Sequence, residues 1–146
     1  MLRVRIARPE EFGACLALRL EVFVEEQKVP RDEEEDGLDP ECLHFLAFEG
    51  QQPVGTARLR FLDGDGTAER VAVRAAQRRF GVGRRLMQAL ESEARRRSAA
   101  RVRLNAQLAA LPFYEALGYR AFGGVFDDAG IPHRAMKKIL APHARD

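Results

Sequence analysis

The chain has 146 residues, a net charge of +2, a hydrophobic fraction of 46% and a charged fraction of 32%, which suits one globular domain over residues 1–146 and excludes disorder over most of the length. No apolar run approaches the ~20 residues that span a membrane, and the first ten residues carry neither an apolar core nor a cleavage-site pattern. Cys15 and Cys42 are too few for a disulfide framework and are not spaced as a metal pair, so a cytoplasmic protein without a metal is expected.

In chain order, Leu2–Ala7 alternates apolar and basic residues and predicts a strand. Pro9 and the acids after it suit a helix start, and Phe12, Leu16, Leu20 and Phe23 then fall on one helical stripe. Residues 31–41 carry seven acids against Arg31, a local charge of −6 that leaves +8 on the rest of the chain. With Pro30, Gly37 and Pro40 they predict a loop containing a helical turn. Divided charge of this kind steers phosphates to one region and an ammonium to another, and a solvated acidic loop is the plainer alternative.

Leu43–Glu49, Val54–Leu62 and Thr67–Arg74 predict three strands of an antiparallel meander. Asp63-Gly-Asp-Gly66 is read as a hairpin turn, because the further ligands and terminal Glu of a calcium loop are missing. From Gly81 to about Ser98 the period changes, with Val82, Leu86, Met87, Leu90 and Ala94 on one face of an amphipathic helix. Arg101–Ala106 predicts a strand, Leu111–Leu117 a short helix stopped by Gly118, and Tyr119–Phe126 with His133–Leu140 a closing hairpin. The order β-α-βββ-α-β-α-ββ predicts an α+β protein, α/β/α layered, with a mixed and mostly antiparallel sheet and helices on both faces.

The segment with the most chemical content is Val71-Ala-Val-Arg-Ala-Ala-Gln-Arg-Arg-Phe-Gly-Val-Gly-Arg-Arg-Leu86. A strand ends, a basic loop follows, and two glycines open a helix. The first N–H groups of a helix lack partners, so a phosphate placed there accepts several hydrogen bonds and meets the positive end of the helix dipole. A P-loop is excluded because no Gly-Lys-Ser/Thr follows. A dinucleotide fingerprint is excluded because Leu86 stands where its third small residue belongs and a meander precedes the motif. The basic residues are arginines except Lys28, Lys137 and Lys138. With no recognition motif, nucleic-acid binding is not expected.

Arg78-x-x-Gly81-x-Gly83, after the strand Glu69-Arg-Val-Ala-Val73, resembles the acetyl-CoA-binding signature of the GNAT N-acetyltransferases. The stretch Asn105-Ala-Gln-Leu-Ala-Ala-Leu-Pro-Phe-Tyr-Glu-Ala-Leu-Gly-Tyr119 resembles that family's second signature. The segments Val22–Pro30, Asp36-x-x-Asp39 with His44, and Asp128–His133 are similar to the ElaA-like branch.

The resemblance implies acetyl-CoA as co-substrate, without a metal. It implies direct transfer to an amine on a small molecule or protein in a ternary complex, with no membrane partner; a homodimer stays open. It further implies that Val71, Ala72 and Val73 pair with the pantetheine arm. The amides of Phe80, Gly81, Val82, Gly83 and Arg84 would cradle the diphosphate beside Arg78 and Arg79. The strands at Val71–Val73 and Arg103–Asn105 would splay around the thioester, placing Asn105 in the coenzyme site. Tyr114 matches the tyrosine near the sulfur, where a hydroxyl suits the departing thiolate; packing beside Phe113 and Leu117 is the alternative. An alkyl amine of pKa ~10.4 is neutral in roughly one molecule in two thousand at pH 7, and supplying that form costs about 4–5 kcal/mol. Glu69 matches a position where members of the wider family carry a base, with an arginine-paired strand residue as its alternative reading. Asp36, Asp39, His44 and His133 are candidate acceptor-site residues. A non-catalytic acyl-CoA-binding or interaction module is the competing function.

Overall fold

A computed structural model describes residues 1–141 of the chain. Among these, β1 (Leu2–Ile6), β2 (Leu43–Glu49), β3 (Gln52–Leu62), β4 (Asp65–Val73), β5 (Arg101–Gln107), β6 (Arg120–Asp128) and β7 (Ile131–Ile139) form one sheet in the order β1-β2-β3-β4-β5-β7-β6. β4 and β5 run parallel and every other neighbouring pair is antiparallel. The helices are α1 (Phe12–Arg19), α2 (Arg31–Glu34), α3 (Val82–Arg96) and α4 (Leu111–Ala116).

β2 shows how the layers arise. Its side chains alternate across the sheet: Phe45 and Ala47 join the core under α3, whereas Leu46 and Phe48 join a second cluster with Cys15 and Leu18 of α1. The sheet is therefore covered on both faces. On α3 the buried apolar residues Val82, Leu86, Met87, Leu90 and Ala94 are those its periodicity predicts; Glu91 is buried as well, accepting from the Tyr119 hydroxyl and Lys138 Nζ.

The first helix departs from its predicted stripe. Phe12, Leu16, Leu20 and Phe23 are half-buried, and the buried side chains are Cys15, Leu18, Arg19 and Val22. The cause is a π-helical stretch, Leu20–Glu26, in which the Gln27 amide donates to the Val22 carbonyl five residues back. That wider turn rotates the face on which later side chains emerge. β3 begins before Pro53 rather than after it. A register shift between Ala47 and Phe48 accommodates the residue that lacks an N–H. Asp63 and Gly64, both with positive φ, form a two-residue hairpin turn between β3 and β4.

Two distortions open the sheet. β4 pairs with β5 only at Gly66↔Val102 and Thr67↔Arg103, after which the strands part. Gly66 is where α3 presses on the sheet: a Cβ there would lie 3.1 Å from Leu59 Cδ1 and 3.3 Å from Ala94 Cβ. The second distortion is a bulge in β4, where Glu69 faces Arg58 and Ala72 faces Thr56, so β4 holds one residue more than β3. Arg70 takes a left-handed φ of 54° there, and beyond it Val71 and Val73 emerge on the α3 side.

Candidate functional site

The parting of β4 and β5 creates a cleft of about 720 Å³. Beyond Thr67, the β4 edge facing β5 has no strand partner, so its peptide groups, apart from the Val73 carbonyl that accepts from Arg78 Nε, are free to bond a ligand lying along it. At one end lie Gly81, Val82, Gly83 and Arg84. Gly81 caps α3 with a φ of 81°, a conformation that glycine adopts without strain. The Arg85 amide donates to the Gly81 carbonyl, while among the described residues the amides of Val82, Gly83 and Arg84 have no protein acceptor. The helix start is thus uncapped, and it opens into the cleft.

Arg79 and Arg84 line the same end without an ion pair among the described residues. Arg78 also lines it, but its guanidinium is committed: Nε donates 2.9 Å to the Val73 carbonyl, and both terminal nitrogens hold the Glu26 carboxylate. Arg78 fixes the loop to β4 and to the π-helical stretch, so its charge is already neutralised. The Phe80 side chain is 76% exposed and lies outside the cleft wall.

Val71, Ala72 and Val73 of β4 and Asn105 of β5 line the middle of the cleft. Gln107 Nε2 donates 2.8 Å to Gln27 Oε1, tying the end of β5 to the segment after the π-helical stretch. Tyr114, in α4 behind Pro112, packs edge-on to Phe113 and Tyr119 at ring-centroid separations of 4.9 and 5.8 Å. Burial pushes its pKa up to about 12. Its hydroxyl has no hydrogen bond to another described residue, and the side chain forms part of the cleft wall. A second hollow of about 220 Å³, lined by Arg60, Asp63, Arg103 and Phe122, shares Thr67, Glu69, Leu104 and Asn105 with the cleft. By strand alternation Glu69 and His133 emerge on the α1 side, whereas Tyr114 belongs to the α3-side core.

Glu69 lines both hollows, but Arg58 and Arg60 hold its carboxylate at 2.9 and 3.1 Å. Burial alone would raise its pKa; the hydrogen bond from Arg60 and the charge of Arg58 outweigh that and bring it below the ordinary value. A carboxylate held this way is a poorer proton acceptor. The arginine-paired reading of Glu69 therefore describes its surroundings.

The acidic segment is likewise engaged. Buried Arg19 donates to Glu34 and Asp39, fully buried Arg58 donates to Asp36 and Asp39, and Arg70 reaches the Glu34 carbonyl and Asp36. Asp36 is held well below the usual carboxylate range, chiefly by its hydrogen bonds from Arg58. Asp36 and Asp39 lie outside the cleft wall, as does His44, whose Nε2 donates to the Asp39 carbonyl at 3.0 Å. The fold thus does not bring these three expected acceptor-site residues into the cleft wall: Asp36 and Asp39 neutralise buried arginines, and His44 braces their loop. Of the four, His133 is the one the fold brings to the cleft.

Sequence reasoning did not single out Val22, Phe23, Gln27, Val29, Glu33, Glu34 or Gln107 individually as cleft residues. The signals were segment-wide: Val22–Pro30, the acidic run 31–41 and the Asn105–Tyr119 stretch. Among the described residues no cluster of His, Cys, Asp and Glu is arranged to hold a metal, and no helix is long and apolar enough to cross a membrane.

A sequence model of the acetyltransferase (GNAT) domain matches residues 8–140. YjcF of Bacillus subtilis (strain 168), described as an uncharacterized N-acetyltransferase, is 44% identical over 139 residues, covering 94% of this chain and 99% of its own. The crystal structure of an acyl-CoA N-acyltransferase from Pseudomonas aeruginosa is 32% identical, with a TM-score of 0.83 over 94% of this chain and 99% of that one. Crystalline Escherichia coli ElaA is 26% identical, with a TM-score of 0.81 over 94% of this chain and 99% of its own.

Proposed function

This chain belongs to the GNAT acetyltransferase family, and on that premise we propose that it moves the acetyl group of acetyl-CoA directly onto an amine. The observation that carries the reading is one cleft that begins at the unpartnered amides of Val82, Gly83 and Arg84 and includes Tyr114 in its wall. In this proposal those amides hold the diphosphate with help from Arg79 and Arg84. The pantetheine arm lies along Val71–Val73 beside Asn105 as a partial extra strand. The Pseudomonas relative is described as an acyl-CoA N-acyltransferase, and that co-substrate class is carried over to this chain as part of the proposal.

Transfer requires an amine to attack the thioester carbonyl and a thiolate to leave. Tyr114, protonated at neutral pH and desolvated, donates its O–H toward the sulfur as negative charge develops there. Glu69 keeps its charge through Arg58 and Arg60, which also offset it, so in this proposal it shapes the wall on the acceptor's side rather than attracting the ammonium. Because Tyr114 and Glu69 stand on opposite sides of the sheet, the coenzyme approaches along the α3 side and the acceptor from the α1 side. The test is turnover: the purified protein incubated with acetyl-CoA and a panel of polyamines, amino sugars, aminoglycosides and peptides, with free thiol measured. Amine-dependent thiol release supports the proposal. Saturable coenzyme binding without release across the panel would instead favour the non-catalytic acyl-CoA-binding module.

A further inference from the structure

We propose that His133 is the general base that accepts the acceptor's ammonium proton, an inference that rests on the acetyl-transfer reading above. His133 Nδ1 lies 2.6 Å from the Ile131 carbonyl oxygen. A carbonyl oxygen only accepts, so Nδ1 carries the ring proton and the neutral imidazole keeps its lone pair on Nε2. Among the described residues Nε2 has no hydrogen-bond partner, and the side chain, only 8% exposed, forms part of the cleft wall. The ring stacks on Phe126, with centroids 5.9 Å apart and planes 25° from parallel. Its backbone pairs with Gln107, whose amide is tied to Gln27. Tautomer and ring position are therefore set before any ligand arrives, the condition under which proton transfer is efficient.

Of the candidate bases named from the sequence, the others are committed elsewhere; Glu33 and Asp128 also line the cleft, but both are exposed, without the enclosed and fixed setting of His133. Glu69 is bound by two guanidinium groups, Asp36 by Arg58 and Arg70, and His44 lies outside the cleft wall with Nε2 bonded to a backbone carbonyl. In the step proposed, the ammonium gives one proton to His133 Nε2, directly or through water. The freed lone pair forms the N–C bond to the thioester carbonyl carbon, and the C–S bond breaks as that carbonyl reforms. The N-protonated amide gives its remaining extra proton to the departing thiolate by way of the Tyr114 hydroxyl, which both donates and accepts. The imidazolium returns its proton to solvent, so one amide, one thiol and one proton balance one ammonium and one thioester.

The test uses the full chain in two ways. In ¹⁵N spectra of the histidines, the native protein is expected to show His133 protonated at Nδ1 and bare at Nε2; the opposite tautomer overturns the proposal without any assay of activity. For His133→Ala, kcat is expected to fall about 10²-fold or more with acetyl-CoA affinity within about twofold of native, and added imidazole is expected to restore part of the rate. An undiminished kcat, or a loss in a folded, coenzyme-binding variant that imidazole does not restore, overturns it. Native protein that turns over no amine contradicts the transferase reading itself, whereas native turnover with an unimpaired His133→Ala variant contradicts the role of His133 alone.

Discussion

Arg58 is fully buried in β3 and donates to Asp36 at 3.0 and 2.7 Å, to Asp39 at 3.0 Å and to Glu69 at 2.9 Å. Arg58→Met replaces that cation with an apolar chain. The three carboxylates keep one cationic partner each: Arg70 for Asp36, Arg19 for Asp39 and Arg60 for Glu69. They still lose four charged hydrogen bonds in a half-buried setting. Removing one side of a buried ion pair costs about 3–5 kcal/mol, and in a domain of this size that lowers Tm by roughly 6–20 °C. The pH dependence carries the signature. Asp36, Asp39 and Glu69 all have depressed folded-state pKa values, so their stabilisation is full above the unfolded carboxylate values of about 4 and is lost as pH falls through the folded ones. Native Tm should therefore drop steeply below about pH 4, and the gap between native and variant should narrow there. Calorimetry from pH 7 to pH 2.5 measures both curves. A variant within about 1 kcal/mol of native at pH 7, or a gap that widens in acid, would refute the reasoning.

Three more outcomes are expected. Tyr114→Phe lowers kcat about 10²-fold or more while coenzyme affinity stays within about twofold; because the hydroxyl bonds no other described residue, Tm in a scanning fluorimeter should not fall. Arg79→Ala with Arg84→Ala weakens coenzyme A binding about tenfold or more and flattens its salt dependence in titration calorimetry, since these are the cleft arginines free of ion pairs among the described residues. Gly81→Val forces a β-branched residue to φ 81° and costs about 1–3 kcal/mol, read as a lower midpoint in urea together with lost coenzyme binding. An unchanged midpoint would show that the left-handed cap is not required.

Local period carried much of the architecture. The apolar run of β2 and the α3 stripe of Val82, Leu86, Leu90 and Ala94 were legible because neighbouring residues decide them. The Gly81-x-Gly83 start was legible for a related reason: an uncapped helix N-terminus follows from a strand, a loop and two glycines in succession. The π-helical stretch was not, because Leu20–Glu26 has no residue that demands a five-residue step. The fate of the acidic segment was hidden too. Asp36 and Asp39 find Arg58 22 and 19 residues away in sequence, and Arg19 finds Glu34 at 15, and no periodicity reports such pairings. The splay of β4 from β5 was expected only through resemblance; in the fold it follows from two paired positions, a glycine under α3 and a one-residue bulge.

Amide-resolved NMR during a coenzyme A titration tests most directly whether the start of α3 holds the diphosphate. The Val82, Gly83 and Arg84 resonances are expected to shift saturably with coenzyme A and to stay in place with pantetheine, which lacks the diphosphate. Saturable binding that leaves those three amides unmoved, or no binding, would contradict the account.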